Sequence, residues 1–280
     1  MSIETLSLHC CFGGWQGFYS HASQEIGRTM KFAVFVPPQA EHQKRPVLTY
    51  LAGLTCTEET FIIKAGAQRL AAELGLILVA PDTSPRGTDF PGQADSWDFG
   101  VGAGFYVDAV QAPWSAHWRM QSYVSEELPK VIAAHFPADM SRQGIFGHSM
   151  GGHGALVTAL RKPARYRSLS AFAPIAAPSQ CPWGIKAFSG YLGSDKSLWA
   201  EYDATELVKR RPFAGEILID QGMDDKFLAE QLHPHLFEAA AASSGQQLVL
   251  RRHAGYDHGY FFIQTFMDDH LRHHHRLLTQ

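Results

Sequence analysis

The segment GIFGHSMGGHGAL, residues 144–156, constrains the fold more than any other stretch of the chain. An apolar run leads into Ser149 and a helix-forming run follows at once, so the chain must turn sharply from strand to helix. Gly147 and Gly151 complete the pattern G-x-S-x-G and remove side chains that would collide across such a turn. The turn holds a serine hydroxyl clear of the surface beside unpaired helix N–H groups. The segment therefore predicts Ser149 as a nucleophile and the N–H of Met150 as an oxyanion donor.

Short apolar runs alternate with longer amphipathic runs through the rest of the chain. Strands are predicted at 30–38, 47–54, 76–82, 144–149, 169–175, 216–222 and 247–255. Helices are predicted at 61–75, 123–136, 150–162, 227–243 and 260–278. This alternation favours an α/β fold with a mostly parallel sheet of about eight strands and helices on both faces.

Two long stretches, residues 83–118 and 176–199, interrupt the alternation and are rich in glycine and aromatic residues. Loops of this length are usually functional or disordered, and the low charge here favours function. Linkers, repeats and low-complexity segments are not evident. The sequence therefore predicts one domain covering residues 1–280.

Charge and composition argue against several classes of partner. The chain has 24 Lys and Arg against 27 Asp and Glu, a net charge of −3, which gives no basic footprint for nucleic acid. An apolar run of the ~20 residues needed for a membrane span is lacking, and so is a secretory signal pattern. The four cysteines form neither a metal knuckle nor a disulfide framework. We therefore expect a cytoplasmic protein without membrane or nucleic-acid partners.

The acid partner of a serine nucleophile is expected in the loop after a late strand, here EILIDQGMDDKF. Asp220 lies within that strand, where a buried hydrogen-bonding role is expected. Asp224 and Asp225 both lie beyond its carboxyl end, where open α/β sheets place their chemistry. The residues alone leave both open as the acid.

The general base is expected after the last strand, in RRHAGYDHGYFF. His253 is still strand-like, whereas His258 lies in the loop before the closing helix, from which an imidazole can reach the serine. His258 is therefore the predicted base. The nearer His148 is expected to point away from the serine oxygen, and His153 to pack or hydrogen-bond beneath the turn.

With these residues placed, the chain closely resembles the S-formylglutathione hydrolase family, also called the esterase D family. The resemblance covers nearly the whole chain. It rests on GLTCTEETF, APDTSPRG, DFGVGAGFYVDA, YVSEELP, GHSMGGHGAL, SAFAPI, CPWGIKAFSGYLG, ILIDQGMDDKFL and GYDHGYFFI. It implies an α/β-hydrolase fold, with Ser149 as nucleophile, Asp225 as acid and His258 as base.

The resemblance also implies the reaction. A member of this family cleaves the small-molecule thioester S-formylglutathione to formate and glutathione through a formyl-serine intermediate. The family needs no cofactor and no metal, hydrolyses short-chain esters as a side activity, and commonly forms homodimers.

The second oxyanion donor is expected in the loop LAGLTCTEETF, where the N–H of Leu54 is the candidate. Cys56 lies two residues further on and is a candidate lining residue of the substrate pocket, although most free cysteines are simply small buried side chains. The long loops supply further candidates for an aromatic acyl pocket and for a cation that meets glutathione carboxylates. These are Trp97, Phe105, Tyr106, Trp114, Trp183 and Lys186.

His270 and His274 have the i, i+4 spacing of a zinc site, but no HExxH pattern accompanies them. We expect these histidines to form a solvated basic end of the last helix. Two rival functions remain open. One is a short-chain carboxylesterase or acyltransferase on the same fold, and the other is a binding module without catalysis.

Overall fold

The computed structural model describes residues 2–280. Its strands are β1 Glu4–Cys11, β2 Gly14–Ala22, β3 Thr29–Val36, β4 Arg45–Leu51, β5 Ile77–Pro81, β6 Ala138–His148, β7 Tyr166–Phe172, β8 Ile217–Gly222 and β9 Leu248–His253. Its helices are α1 Glu58–Lys64, α2 Gln68–Leu74, α3 Met120–Ser122, α4 Leu128–His135, α5 Met150–Arg161, α6 Pro182–Leu192, α7 Lys196–Ala200, α8 Ala204–Arg210, α9 Pro234–Ser244 and α10 Tyr260–Leu278.

All nine strands form one sheet in the order β1-β2-β3-β5-β4-β6-β7-β8-β9. The strands from β5 to β9 in this order pair in parallel, whereas β1, β2 and β3 pair antiparallel along one side. The predicted α/β class and mostly parallel sheet are confirmed, with nine strands instead of about eight. Strands β1 and β2 were not predicted. In β1, Leu6, Leu8 and Cys10 alternate with polar residues, but this edge strand is exposed along most of its length and does not face the core.

Helices cover both faces of the sheet. Helix α5 contacts β4, β6 and β7, and α10 contacts β6, β7 and β8. Ser168 and Ser170 of β7 hydrogen-bond to α10, so the alternating Leu169 and Ala171 point to the opposite face, which α5 covers. Within the described residues, no helix is long and apolar enough to span a membrane.

The expectation of an irregular loop at 176–199 is wrong for most of its length, because α6 and part of α7 lie there. Pro182 opens α6, and the Cys181 sulfur accepts a hydrogen bond from the N–H of Gly184. Glycine and aromatic residues have low helix propensity, so the sequence gives little helical signal. Burial of Phe188 and Tyr191 against the rest of the molecule stabilises the helix instead.

The histidines of α10 also differ from expectation, because His270, His273 and His274 are buried rather than solvated. The face of α10 that carries them packs on β7. His273 Nε2 donates to the carbonyl of Leu169 over 3.2 Å. A basic helix end was predicted because histidines suit the negative end of a helix dipole, but neutral histidine packs well when each ring nitrogen finds a partner.

A chain of hydrogen bonds runs from a buried carboxylate through these histidines. His270 Nε2 donates to Asp220 Oδ2 over 3.2 Å, and Ser170 Oγ then donates to His270 Nδ1 over 2.7 Å. The same Ser170 Oγ accepts from His274 Nε2 over 2.8 Å, and His274 Nδ1 accepts from Ser168 Oγ over 2.7 Å. An ionised carboxylate can only accept, so it sets the direction of every donor and holds both rings neutral.

Two buried histidines predict a loss of stability in mild acid. Burial lowers the pKa of His153 and of His273 to about 4. An unfolded histidine titrates near ~6.5, so the unfolded state binds extra protons between these values. The stabilisation is complete above pH ~6.5 and is lost as the pH falls towards 4, by up to about 1.4 kcal/mol per pH unit for each histidine.

Urea unfolding at pH 7.5, 6.5, 5.5 and 5 measures this slope. His273→Gln keeps a donor for the Leu169 carbonyl and removes one titrating ring. The slope of its unfolding free energy against pH should therefore be shallower, by the contribution of about one bound proton. An unchanged slope in this variant would assign the acid sensitivity to other groups.

Candidate active site

Ser149 lies at the junction of β6 and α5, at the carboxyl edge of the sheet. Its backbone has φ 58° and ψ −119°, a strained conformation for a residue with a side chain. A Cβ on Gly147 would lie 2.3 Å from the Gly151 carbonyl oxygen, and one on Gly151 would lie 1.9 Å from the Leu51 carbonyl oxygen. Only glycine fits at either position, which is the physical basis of the G-x-S-x-G pattern.

The two aspartates left open after β8 have different surroundings. The side chain of Asp225 is fully buried, and its carboxylate accepts hydrogen bonds from the Phe227 N–H over 2.8 Å and from Gln221 Nε2 over 3.3 Å. Asp224 is exposed and accepts from the Gly255 N–H over 3.3 Å. Asp225 thus points into the molecule, whereas Asp224 supports the adjoining loop.

His258 lies in the loop between β9 and α10 and meets Asp225. Its Nδ1 donates to Asp225 Oδ2 over 2.5 Å. A carboxylate accepting at Nδ1 fixes the tautomer in which Nε2 is free to take a proton. The Phe227 ring packs edge-on against the imidazole, with centroids 5.0 Å apart.

His253, the other candidate base, is engaged elsewhere. Its Nε2 donates to Asp220 Oδ1 over 3.2 Å, and its ring stacks on Phe266. Asp220 is buried and also pairs with Arg251. Burial raises the pKa of Asp220, and the hydrogen bonds from His270 and Arg251 lower it by a larger amount. The net pKa therefore lies well below its ordinary value. Asp220 therefore has the buried hydrogen-bonding role that the sequence predicts.

A cavity of about 120 Å³ joins the serine to the histidine. Aromatic rings form most of its wall, and the loop after β4 closes one side. The lining residues are Gly53, Leu54, Cys56, Trp97, His148, Ser149, Trp183, Phe227, His258 and Tyr260.

Comparisons with known proteins agree along the whole chain. The Esterase family model matches residues 23–273. The S-formylglutathione hydrolase of Rattus norvegicus is 55% identical over 100% of both chains, and that of Paracoccus denitrificans is 52% identical over 98% of both. The chain belongs to the S-formylglutathione hydrolase family. The structure of an S-formylglutathione hydrolase from Agrobacterium tumefaciens superposes with a TM-score of 0.96 at 53% identity, covering 98% of this chain and 99% of that one.

The oxyanion candidates of this family member lie on both sides of the serine. Met150 is the first residue of α5, so its N–H has no partner inside the helix. Leu54 lines the cavity in the loop after β4. A Cβ on the neighbouring Gly53 would lie 3.3 Å from the Cβ of Ser149, which shows how closely this loop approaches the serine.

The structure separates the aromatic pocket candidates. Trp97 and Trp183 line the cavity, with their rings edge-on and centroids 5.5 Å apart. The expectation for Phe105 is wrong, because it is fully buried and its carbonyl accepts from His153 Nε2 over 2.9 Å. Tyr106 and Trp114 are also core residues. Aromatic composition alone did not distinguish pocket residues from core residues.

Lys186 does not reach the cavity. Its ammonium pairs with Asp98 and donates to Ser96 Oγ over 2.7 Å. Its role in meeting a glutathione carboxylate stays a prediction, and in this structure a neighbouring carboxylate compensates its charge. Lys186 also ties α6 to the loop that carries Trp97.

Cys56 lines the cavity, and its part in binding substrate stays a prediction. Burial raises the pKa of its thiol, although hydrogen bonds with Thr60 and Tyr260 act in the opposite direction. A raised pKa keeps the sulfur protonated near neutrality, so the residue contributes a small polarisable wall rather than a thiolate.

The two histidines next to the serine in sequence behave differently. His153 is buried beneath the turn and donates to the Phe105 carbonyl, as expected. His148 was expected to point away from the serine oxygen. Its ring instead lines the cavity, with its centroid 4.4 Å from that of His258. Both of its ring nitrogens are buried, and burial next to the His258 ring lowers its pKa well below the ordinary value, although the His258 backbone acts in the opposite direction.

Sequence reasoning missed Phe227 and Tyr260 as cavity residues. Each follows a predicted catalytic residue by two positions, Asp225 and His258, and that proximity was the available signal. Among the described residues, no cluster of three or more His, Cys, Asp or Glu side chains has the arrangement of a metal site.

Proposed function

We propose that this protein hydrolyses the thioester S-formylglutathione to formate and glutathione. The observation that carries the proposal is the small aromatic cavity in which Ser149 meets a histidine already paired with a buried carboxylate. Membership of the family supplies the substrate class. A cavity of about 120 Å³ suits a formyl group, the smallest acyl group, and leaves no room for a long acyl chain. This argues against a long-chain acyltransferase.

The reaction follows from these positions. His258 Nε2 takes the proton of Ser149 as Oγ attacks the thioester carbonyl, and the N–H groups of Leu54 and Met150 stabilise the oxyanion. The C–S bond breaks, glutathione leaves as the thiolate, and the imidazolium returns a proton to it. A thiolate is a good leaving group, because thiols ionise near pH ~8.5.

The second half of the cycle repeats these roles. Water attacks the formyl ester on Ser149 while His258 accepts a proton from it. The ester C–O bond breaks, formate leaves, and the serine oxygen regains the proton from His258. Asp225 stays ionised throughout and stabilises the imidazolium in both halves. The sum is one thioester and one water converted into formate, glutathione and one proton.

Steady-state kinetics test the proposal. We expect kcat/KM on S-formylglutathione to exceed that on an aryl acetate, and both activities to be lost in Ser149→Ala. Ser141→Ala is the matched control, because Ser141 is exposed at the opposite end of β6. An advantage of orders of magnitude for the aryl ester would instead favour the short-chain carboxylesterase. Unchanged hydrolysis in Ser149→Ala would point to another nucleophile.

We also propose a single cytoplasmic domain that forms a homodimer. One sheet contains strands from both ends of the chain, which supports a single cooperative unit. The four free cysteines suit a reducing compartment. Light scattering that gives one chain per particle would contradict the dimer, and two separate unfolding transitions would contradict the single domain.

A further inference from the structure

The proposed substrate is much larger than the cavity next to Ser149. Glutathione is a tripeptide with two carboxylates and one ammonium, and the 120 Å³ cavity accommodates little more than the formyl group and the sulfur. Most of the substrate must therefore lie outside that cavity. The surface next to it should provide both apolar contact and positive charge.

A groove of about 380 Å³ adjoins the cavity through a shared wall. Its lining residues are Lys64, Tyr260, Phe261 and Gln264, and Tyr260 also lines the cavity. We call this feature the Lys64 groove. It lies between the end of α1 and the first turn of α10, directly after the loop that carries His258.

The charge of Lys64 is uncompensated. Its ammonium lies 5.8 Å from the centroid of the Tyr260 ring, and within residues 2–280 it forms no ion pair with a carboxylate. Lys186, by contrast, is already paired with Asp98. Lys64 and Lys226 are both free to meet a carboxylate brought by a ligand, and of the two only Lys64 lines the groove.

Phe261 is a second residue of the groove that, among residues 2–280, lacks a partner for its side chain in the free protein. Its side chain is 85% exposed, an unusual cost for a phenylalanine on a helix whose other face is packed. Gln264, one turn further along α10, adds an amide that can donate to or accept from a peptide group. Together, an exposed ring for apolar contact, an amide for a peptide group and a free ammonium for a carboxylate suit the binding of a short acidic peptide.

We infer that the Lys64 groove holds the glutathione part of the substrate, with Lys64 meeting one of its carboxylates. The inference rests on the proposed function and adds how the site distinguishes glutathione thioesters from simple esters. The carboxylate contact persists through the reaction, so it contributes to binding and acts on KM rather than on kcat.

The test compares substrate preference, defined as kcat/KM on S-formylglutathione divided by kcat/KM on an aryl acetate. Lys64→Gln should lower this ratio about fivefold through KM, the effect of losing an exposed ion pair. Lys44→Gln is the matched control, because Lys44 is an exposed lysine just before β4. It lies at the amino end of that strand, whereas Ser149 lies at the carboxyl ends of the strands. This variant should leave the ratio unchanged.

A second substrate isolates the carboxylate. On S-formylglutathione with both carboxyl groups methylated, wild type and Lys64→Gln should have the same KM. An unchanged ratio in Lys64→Gln, or an equal loss on the methylated substrate, would overturn the groove assignment. A loss in Lys226→Gln alone would also overturn it, because Lys226 lies over the Phe227 ring rather than in the groove.

The two proposals fail in distinguishable ways. If wild type does not prefer S-formylglutathione, the proposed function fails and the groove assignment fails with it. If wild type prefers the thioester and Lys64→Gln retains the full preference, only the groove assignment fails.

Discussion

His258→Gln is expected to lower kcat by about 10⁵- to 10⁶-fold, the loss typical of removing the base from a serine triad. Glutamine has no nitrogen that can take the Ser149 proton, so neither acylation nor deacylation retains general-base catalysis. The side chain lies in a half-buried loop position, so the fold should survive the change. Single-turnover and steady-state hydrolysis of S-formylglutathione measure the loss.

His153→Gln is the matched control for this prediction. His153 lies four residues from the serine, but its Nε2 donates to the Phe105 carbonyl, and glutamine can replace that donor. We expect a stability loss of about 1–2 kcal/mol and retention of most of the turnover. His148→Gln should also cost far less than His258→Gln, because His148 has no carboxylate partner within residues 2–280. If either control lost more activity than His258→Gln, the assignment of the base would be wrong.

Asp225→Asn is expected to lower kcat by about 10⁴-fold. The carboxylate accepts from His258 Nδ1, which leaves Nε2 unprotonated on a ring that lines the same cavity as Ser149. An asparagine amide can donate to Nδ1 instead, which moves the ring proton to Nε2. The histidine then cannot take the serine proton, although its position is unchanged.

Asp224→Asn tests the same chemistry at the adjacent residue. Asp224 accepts from the Gly255 N–H, and an asparagine oxygen can still accept that bond. We expect kcat to change by less than about threefold, in line with an exposed polar substitution. Thermal melting of both variants separates a fold defect from a chemical one. A larger loss in Asp224→Asn than in Asp225→Asn would reverse the assignment of the acid.

Local sequence pattern was sufficient for the turn that carries Ser149. The positions of Gly147 and Gly151 are dictated by backbone atoms only 2–3 Å from where a Cβ would lie. Some of these atoms belong to the turn itself and others to Leu51 and Ala52 at the end of β4, but both sets leave the same local mark in the sequence, a glycine two residues on either side of the serine. The parallel strands were likewise predictable, because a strand buried on both faces is a continuous apolar run.

Edge strands and packed loops were less predictable. The strand β1 alternates Leu6 and Leu8 with polar residues, but it was not predicted, and most of its residues are exposed at the edge of the sheet. Helix α6 has weak helix formers and is stabilised by burying Phe188 and Tyr191. The partners of α6 are distant in sequence, so no local signal records them, whereas β1 pairs with the adjacent strand β2.

The features of the active site divide in the same way into those set by local sequence and those set by long-range packing. Backbone requirements and periodicity act over neighbouring residues, and they are enough to predict the α/β sheet, the serine at its turn and the loops from which an acid and a base would come. The direction of a side chain within a loop depends on which other loops pack beside it. Long-range packing alone therefore brings Asp225 rather than Asp224 to His258, buries His270 and His274 against β7, and places Phe227 and Tyr260 around the serine.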